Sequence, residues 1–174
     1  GSFSWRIGEG DHIEYEETDV HFAESAFGRS LPDDLKVELT RAMPDDACSS
    51  ITNVDQVEGR VVLLSRGGCS FPTKVRNSQD AGAVGVVLRN NEDKLIAMGG
   101  YDPQIDIFSI VIKKSAGEEL DRALDDSCVL VHFKKGGKVE RALEAITKKK
   151  HSRQPMLFIN GSLATLDSVG VLER

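Results

Sequence analysis

At 174 residues the chain is long enough to bury a substantial core within one domain. Its 40% hydrophobic and 29% charged residues exclude a disordered or fibrous chain, and no apolar run approaches a membrane span. The net charge of −6 argues against nucleic acid as a partner.

The first 46 residues carry twelve acidic groups against four basic ones. No positively charged, then apolar, leader opens the chain, and Gly1-Ser2 reads as a cleavage scar. The natural protein is therefore expected to run longer at both ends. Residues 7–15 and 20–22 read as β segments. The stretch 28–47, with Pro32 and Pro44, reads as loop with a short helical turn. Residues 59–65 form an apolar, β-branched run without polar alternation, the pattern of a strand buried on both faces. A helix follows over 72–80, with Ser70 as N-cap, Pro72 in the first turn and Gly82 at its end. A second buried strand covers 84–88, making a strand–helix–strand unit with a right-handed crossover.

Beyond a polar turn at Asn90-Asn91-Glu92-Asp93, residues 95–101 are short and Gly-broken. A nearly all-apolar strand is expected over 106–112. A helix capped by Ser115 runs to about Leu124, and a fourth buried strand over 128–133 opens on Cys128, expected as a free, inert thiol. After Gly136-Gly137, residues 138–150 place Val139, Ala142, Leu143 and Ile146 at helical spacing. Eight basic residues against two acidic ones over 134–153 read as a solvated helix end, since no aromatic residues interleave with them. Residues 156–160 and 163–172 add a strand and a short terminal element.

Arg66, Gly67, Cys69, Phe71 and Lys74, followed by Ala81-Gly82-Ala83 before the next strand, resemble the core pattern of the protease-associated (PA) domain family. Cys48 upstream, and Gly117 and Leu120 downstream, extend the likeness from about Ala47 to Leu124. Phe108 departs from it, standing where the family usually has Pro, and residues 1–46 and 136–174 lie outside it. The resemblance implies an α/β fold, a compact β/β/α layered domain with a partly parallel central sheet and flanking helices. On this reading residues 1–174 are one PA-like domain, with a motif-bearing core at about 47–133, an N-terminal extension at 1–46, and a C-terminal helix and terminal strand at 138–174.

The family's modules are non-catalytic. They occur in proteases, plant sorting receptors, membrane-anchored ubiquitin ligases, signal-peptide-peptidase-like proteins and mannosidase-like proteins, so the parent is expected to be of such a kind. The resemblance implies recognition of a protein or peptide substrate or cargo; the alternative is a structural or lid domain governing access to a neighbouring hydrolase domain. It implies that Arg66 supplies a charged donor, Gly67 and Gly68 backbone contacts, and Ser70 a hydroxyl, while Phe71 anchors the helix. Asn90 and Asn91, at the end of the next parallel strand, would line the same rim. It also implies a Cys48–Cys69 disulfide, whose loop closure stabilises by roughly 3 kcal/mol in the chain-entropy model. The cysteines lean towards the secretory-pathway lumen or an extracellular site. Asn160-Gly161-Ser162 is a glycosylation sequon.

The chemistry of the residues alone leaves Arg66 open. Beside the free N–H groups of a helix N-terminus it suits an anion such as a peptide carboxylate, and it equally suits pairing with an internal Asp. His12, His21, His132 and His151 fit no ligand spacing or nucleophile elbow. The pairs Asp33-Asp34, Asp45-Asp46 and Asp125-Asp126 sit in turns, where Asp favours local backbone bonding. No catalytic set, metal or cofactor is expected, nor membrane insertion.

Overall fold

A computed structural model describes residues 1–9, 12–14, 19–134, 156–159 and 162–165. The expected helix over 138–150, His151 and the Asn160 sequon position lie outside them. Two compact units emerge, residues 1–135 and 136–174. In the second, β9 (Met156–Ile159) and β10 (Ser162–Thr165) pair antiparallel with Ile159 opposite Ser162.

The first unit contains β1 (Ser2–Glu9), β2 (His12–Glu14), β3 (Val20–Glu24), β4 (Asp34–Arg41), α1 (Val54–Val57), β5 (Val61–Ser65), α2 (Phe71–Asp80), β6 (Gly85–Arg89), β7 (Phe108–Ile112), α3 (Lys114–Asp126) and β8 (Cys128–Lys134). The neighbours run β1-β3-β7-β6-β5-β4-β8, and β8 pairs back onto β1, with β2 added to the far half of β1. The pairings from β4 through β7 are parallel and the others antiparallel. The partly parallel sheet is present, but it closes into a barrel instead of standing as an open layer between helices.

Closure depends on β4. The stretch read as loop holds a strand in which Leu35, Val37 and Leu39 alternate with polar residues, a half-buried pattern that the flanking prolines obscured. It joins β5 on one side and β8 on the other. Residues 1–46, expected as an extension, thus supply β1 to β4. β8 also alternates, with Val129, Val131 and Phe133 buried, and Cys128 exposed at its start. A buried strand was expected there; antiparallel pairing with β1 and β4 leaves the alternate residues Leu130 and His132 only half-buried.

β5, β6 and β7 are buried on both faces, as their continuous apolar runs require. Phe3, Trp5, Phe22, Leu39, Leu63, Val87, Ile110 and Val131, drawn from strands all round the ring, fill the interior together with Leu120 of α3. Their neighbours on the other face, Val62, Leu64, Val86 and Leu88, pack with Val57 of α1 and Val75 of α2. An aromatic chain crosses the interior, with Phe133 4.9 Å from Phe3 and 5.4 Å from Phe108, ring centre to ring centre. Phe108 needs Gly85 opposite it, because a Cβ there would lie 2.2 Å from its ring. The aromatic departure from the family pattern is thus matched by a residue without a side chain.

α3 starts at Lys114, one residue before the expected cap. Ser115 donates from its backbone N (3.0 Å) and its hydroxyl (2.6 Å) to Asp93. An ion-pair cluster ties α3 to the strand ends. Asp121 accepts from Arg41 Nε at 2.5 Å and from Arg89 Nη1 at 2.7 Å, while Arg89 Nη2 reaches Ser65 Oγ at 2.6 Å. Partial burial works against the Asp121 carboxylate, but hydrogen bonds from Arg41 and Arg89 outweigh it and hold its pKa below the ordinary Asp value.

Two measurements test this fold. Gly85→Ala is expected to lower the unfolding free energy by about 1–3 kcal/mol, read from the urea midpoint. Adding Phe108→Leu should recover part of that loss; strictly additive losses would show that the ring does not occupy this space. A depressed carboxylate contributes stability above its unfolded pKa and loses it as pH falls through the folded value. Stability is therefore expected to fall as pH drops below about 4, with Asp121→Asn removing part of the fall. An unchanged pH slope in that variant would contradict the assignment.

Candidate functional site

The strand–helix turn between β5 and α2 is fixed from three sides. Arg66 N donates to Arg89 O of the neighbouring strand at 3.0 Å. Gly67 and Gly68 take φ of +117° and +80°, the left-handed region that favours glycine. Gly68 is also sterically required, since a Cβ would stand 2.8 Å from Cys48 Sγ and 2.9 Å from Asp46 Oδ2. Ser70 caps α2, its Oγ accepting from Thr73 N at 3.3 Å, with Pro72 in the first turn.

Cys48 and Cys69 form the disulfide that the family resemblance implied, with Cα atoms 5.6 Å apart. Behind it Lys74 is fully buried. Its Nζ donates to Asp46 O and, at 3.3 Å, to Cys48 Sγ. Burial pushes the Lys74 amine's pKa down, with Asp46 and Asp45 opposing the shift. Asn77 Nδ2 donates to Ala47 O at 2.8 Å, so α2 grips the Cys48 segment from a further point. The acidic pair read as purely local divides its work: Asp46 accepts from Cys48 N at 3.0 Å, whereas Asp45 accepts from Ser65 Oγ at 2.7 Å.

Among the described residues, Arg66 hydrogen-bonds no carboxylate. Its Nη1 donates to Asn90 Oδ1 at 2.9 Å and to Asn91 Oδ1 at 3.2 Å. Two neutral amides therefore aim the guanidinium while leaving its charge in place, although Glu92 lies near enough to feel it. Asn90 is 1% exposed and its amide donates to Lys94 O at 2.7 Å, so it serves as a support behind Arg66.

The turn forms one wall of an open groove of about 880 Å³. Arg66, Gly67, Cys69, Ser70 and the first turn of α2 line it, and residues 99–103 form the opposite wall. Of the six expected site residues, Arg66, Gly67 and Ser70 face the groove. Gly68 turns towards the disulfide, and Asn90 and Asn91 sit behind Arg66 and outside the lining.

The opposite wall was not anticipated. Tyr101 is 84% exposed there, and Gly100 seats on α2, where a Cβ would meet Pro72 Cγ at 2.4 Å. Arg76 pins this loop through Gln104 Oε1 and through Asp102 at 3.8 Å. The available signal was the Gly-Gly-Tyr-Asp-Pro run itself, a turn-rich segment carrying an aromatic residue.

Elsewhere, His132 Nε2 contacts Asp34 Oδ1 at 2.7 Å, joining β8 to β4. Among the described residues no group of three or more His, Cys, Asp or Glu could hold a metal ion, and no helix is long and apolar enough to cross a membrane.

Residues 35–120 match the family model of the PA domain. A receptor homology region, transmembrane domain- and RING domain-containing protein 6 of Arabidopsis thaliana is 36% identical over 88 residues, 47% of this chain and 28% of the relative. The ER degradation-enhancing alpha-mannosidase-like protein 3 of Xenopus laevis is 46% identical over 55 residues, 31% of this chain and 6% of the relative. The chain thus spans less than a third of either curated relative. Among solved structures, an aminopeptidase from Aneurinibacillus sp. strain AM-1 superposes with a TM-score of 0.55 at 22% identity, covering 76% of this chain and 30% of that one. BSAP, a zinc aminopeptidase from Bacillus subtilis, superposes with a TM-score of 0.53 at 19% identity, covering 75% and 30%. These two likenesses extend the shared fold beyond the matched segment. Through residues 35–120, the chain belongs to the PA domain family.

Proposed function

We propose that this chain is a non-catalytic recognition module for a protein or peptide, carried by a longer protein of the secretory pathway, with the 66–71 turn as one wall of its binding groove. The observation that carries the reading is Arg66. A guanidinium aimed by two neutral amides, at the rim of an open groove and beside a capped helix N-terminus, presents donors with no bonded counter-charge among the described residues. Such donors suit the carbonyls and carboxylates of an extended peptide.

Bond-making chemistry has less support. Among the described residues the groove is lined by no histidine, and its carboxylate, Asp102, faces Arg76. The disulfide fits an oxidising compartment. Relatives named for ER degradation and for receptor homology regions fit a luminal address and a larger parent. Tyr101 adds an exposed aromatic surface to the same groove, of the kind that anchors a ligand side chain.

Selection from a displayed library of random linear peptides, run in parallel on the wild type and Arg66→Ala, tests the reading. The wild type is expected to enrich a consensus whose affinity falls roughly tenfold or more in Arg66→Ala, with thermal melting nearly unchanged. A consensus bound equally by both would remove the turn from the site. No consensus from either would favour a domain that packs against, or covers, a neighbouring one.

A further inference from the structure

The two sulfurs of the disulfide have unequal surroundings. Cys69 lines the groove, between Gly67 and Ser70. Cys48 is not among the lining residues; its Sγ meets the buried Lys74 Nζ at 3.3 Å and the close-packed Gly68 backbone. Lys74 is fully buried, yet its hydrogen-bond partners are a carbonyl and a disulfide sulfur, both neutral. Asp45 and Asp46 act on the amine only across space, and burial dominates its titration.

We infer that Cys48–Cys69 is a polarised, thiol-exchangeable disulfide, in which an incoming thiolate attacks Cys69 from the groove and Cys48 departs as a thiolate onto the Lys74 ammonium. A new S–S bond forms between the attacking sulfur and Cys69 as the Cys48–Cys69 bond breaks, and its electron pair passes to Cys48 Sγ. This first step is an exchange without net reduction. Reduction follows when a second thiol, from glutathione or a protein dithiol, attacks the mixed disulfide. The two external sulfurs are then joined as a disulfide, and Cys69 is released and protonated.

Two physical effects favour this direction. Exchange is faster when the leaving thiol is the more acidic one, and an adjacent cation makes a thiol more acidic. In the same step the buried ammonium gains a directly bonded anion, where the oxidised chain offers it Asp45 and Asp46 only across space, in surroundings where a charge pair is weakly screened. The adduct on Cys69 would stand in the groove mouth, so the thiol state of the surroundings would control access to it. None of this depends on what the groove binds.

The test incubates the folded 174-residue chain with reduced glutathione at neutral pH. The mixture is quenched with N-ethylmaleimide and the modified cysteines are located by peptide mass spectrometry. Glutathione is expected on Cys69 and maleimide on Cys48, exceeding the reverse pattern roughly tenfold or more. Lys74→Met is expected to bring the two patterns towards parity. If that variant does not fold, the wild-type distribution alone decides. Glutathione shared evenly or carried by Cys48, or a bridge that does not exchange in the folded chain, would overturn the inference.

Discussion

A fully buried lysine amine holds the β5–α2 turn in place. Lys74 reaches from the first half of α2 back to the Cys48 segment, and the Cys48–Cys69 bond crosses the same gap. Between them Gly68 passes so close to Cys48 that no side chain fits. Removing a partner from such an amine would leave a buried cation unsatisfied, which costs far more than a surface hydrogen bond. Lys74 therefore requires the Cys48 segment, the segment requires the turn, and the turn directs Cys69, Ser70 and Arg66 towards the groove.

The barrel supplies the rigid base for that turn. β5 and β6 are buried on both faces and pair in parallel, with Ser65 opposite Arg89, so the chain leaves β5 at a fixed height beside the end of β6. Arg66 then finds Asn90 and Asn91 one step beyond β6. Groove-facing groups thus sit on loops at the carboxyl ends of parallel strands, where the element order of α/β sheets habitually places ligand sites. Phe108 against Gly85, and Arg89 against Asp121, keep β6, β7 and α3 in the spacing this arrangement needs.

Much of this was legible in the residues. The continuous apolar runs of β5, β6 and β7, the Ser70 cap and the Gly82 helix end all declare themselves locally, because burial on both faces and capping leave strong one-dimensional patterns. The barrel did not. β4 alternates weakly between two prolines, and its burial comes from partners distant in sequence, so Leu35, Val37 and Leu39 were outweighed by turn signals. The lining of the candidate groove was half legible for the same reason. Residues contiguous with the motif, Arg66, Gly67 and Ser70, could be placed from it. The supporting role of Asn90, and the opposite wall at Gly100 and Tyr101, depend on a fold-back of the 94–107 stretch that no short pattern encodes.

Amide hydrogen exchange over residues 66–74, compared between the oxidised and the reduced chain, addresses the clamp on this turn most directly. Protection at Thr73 and Lys74 in the oxidised chain, lost on reduction while the amides of β5 to β7 stay protected, is the predicted result. Equally fast exchange of the turn in both states would contradict a clamp built from the disulfide and the buried amine. So would collapse of the whole barrel on reduction.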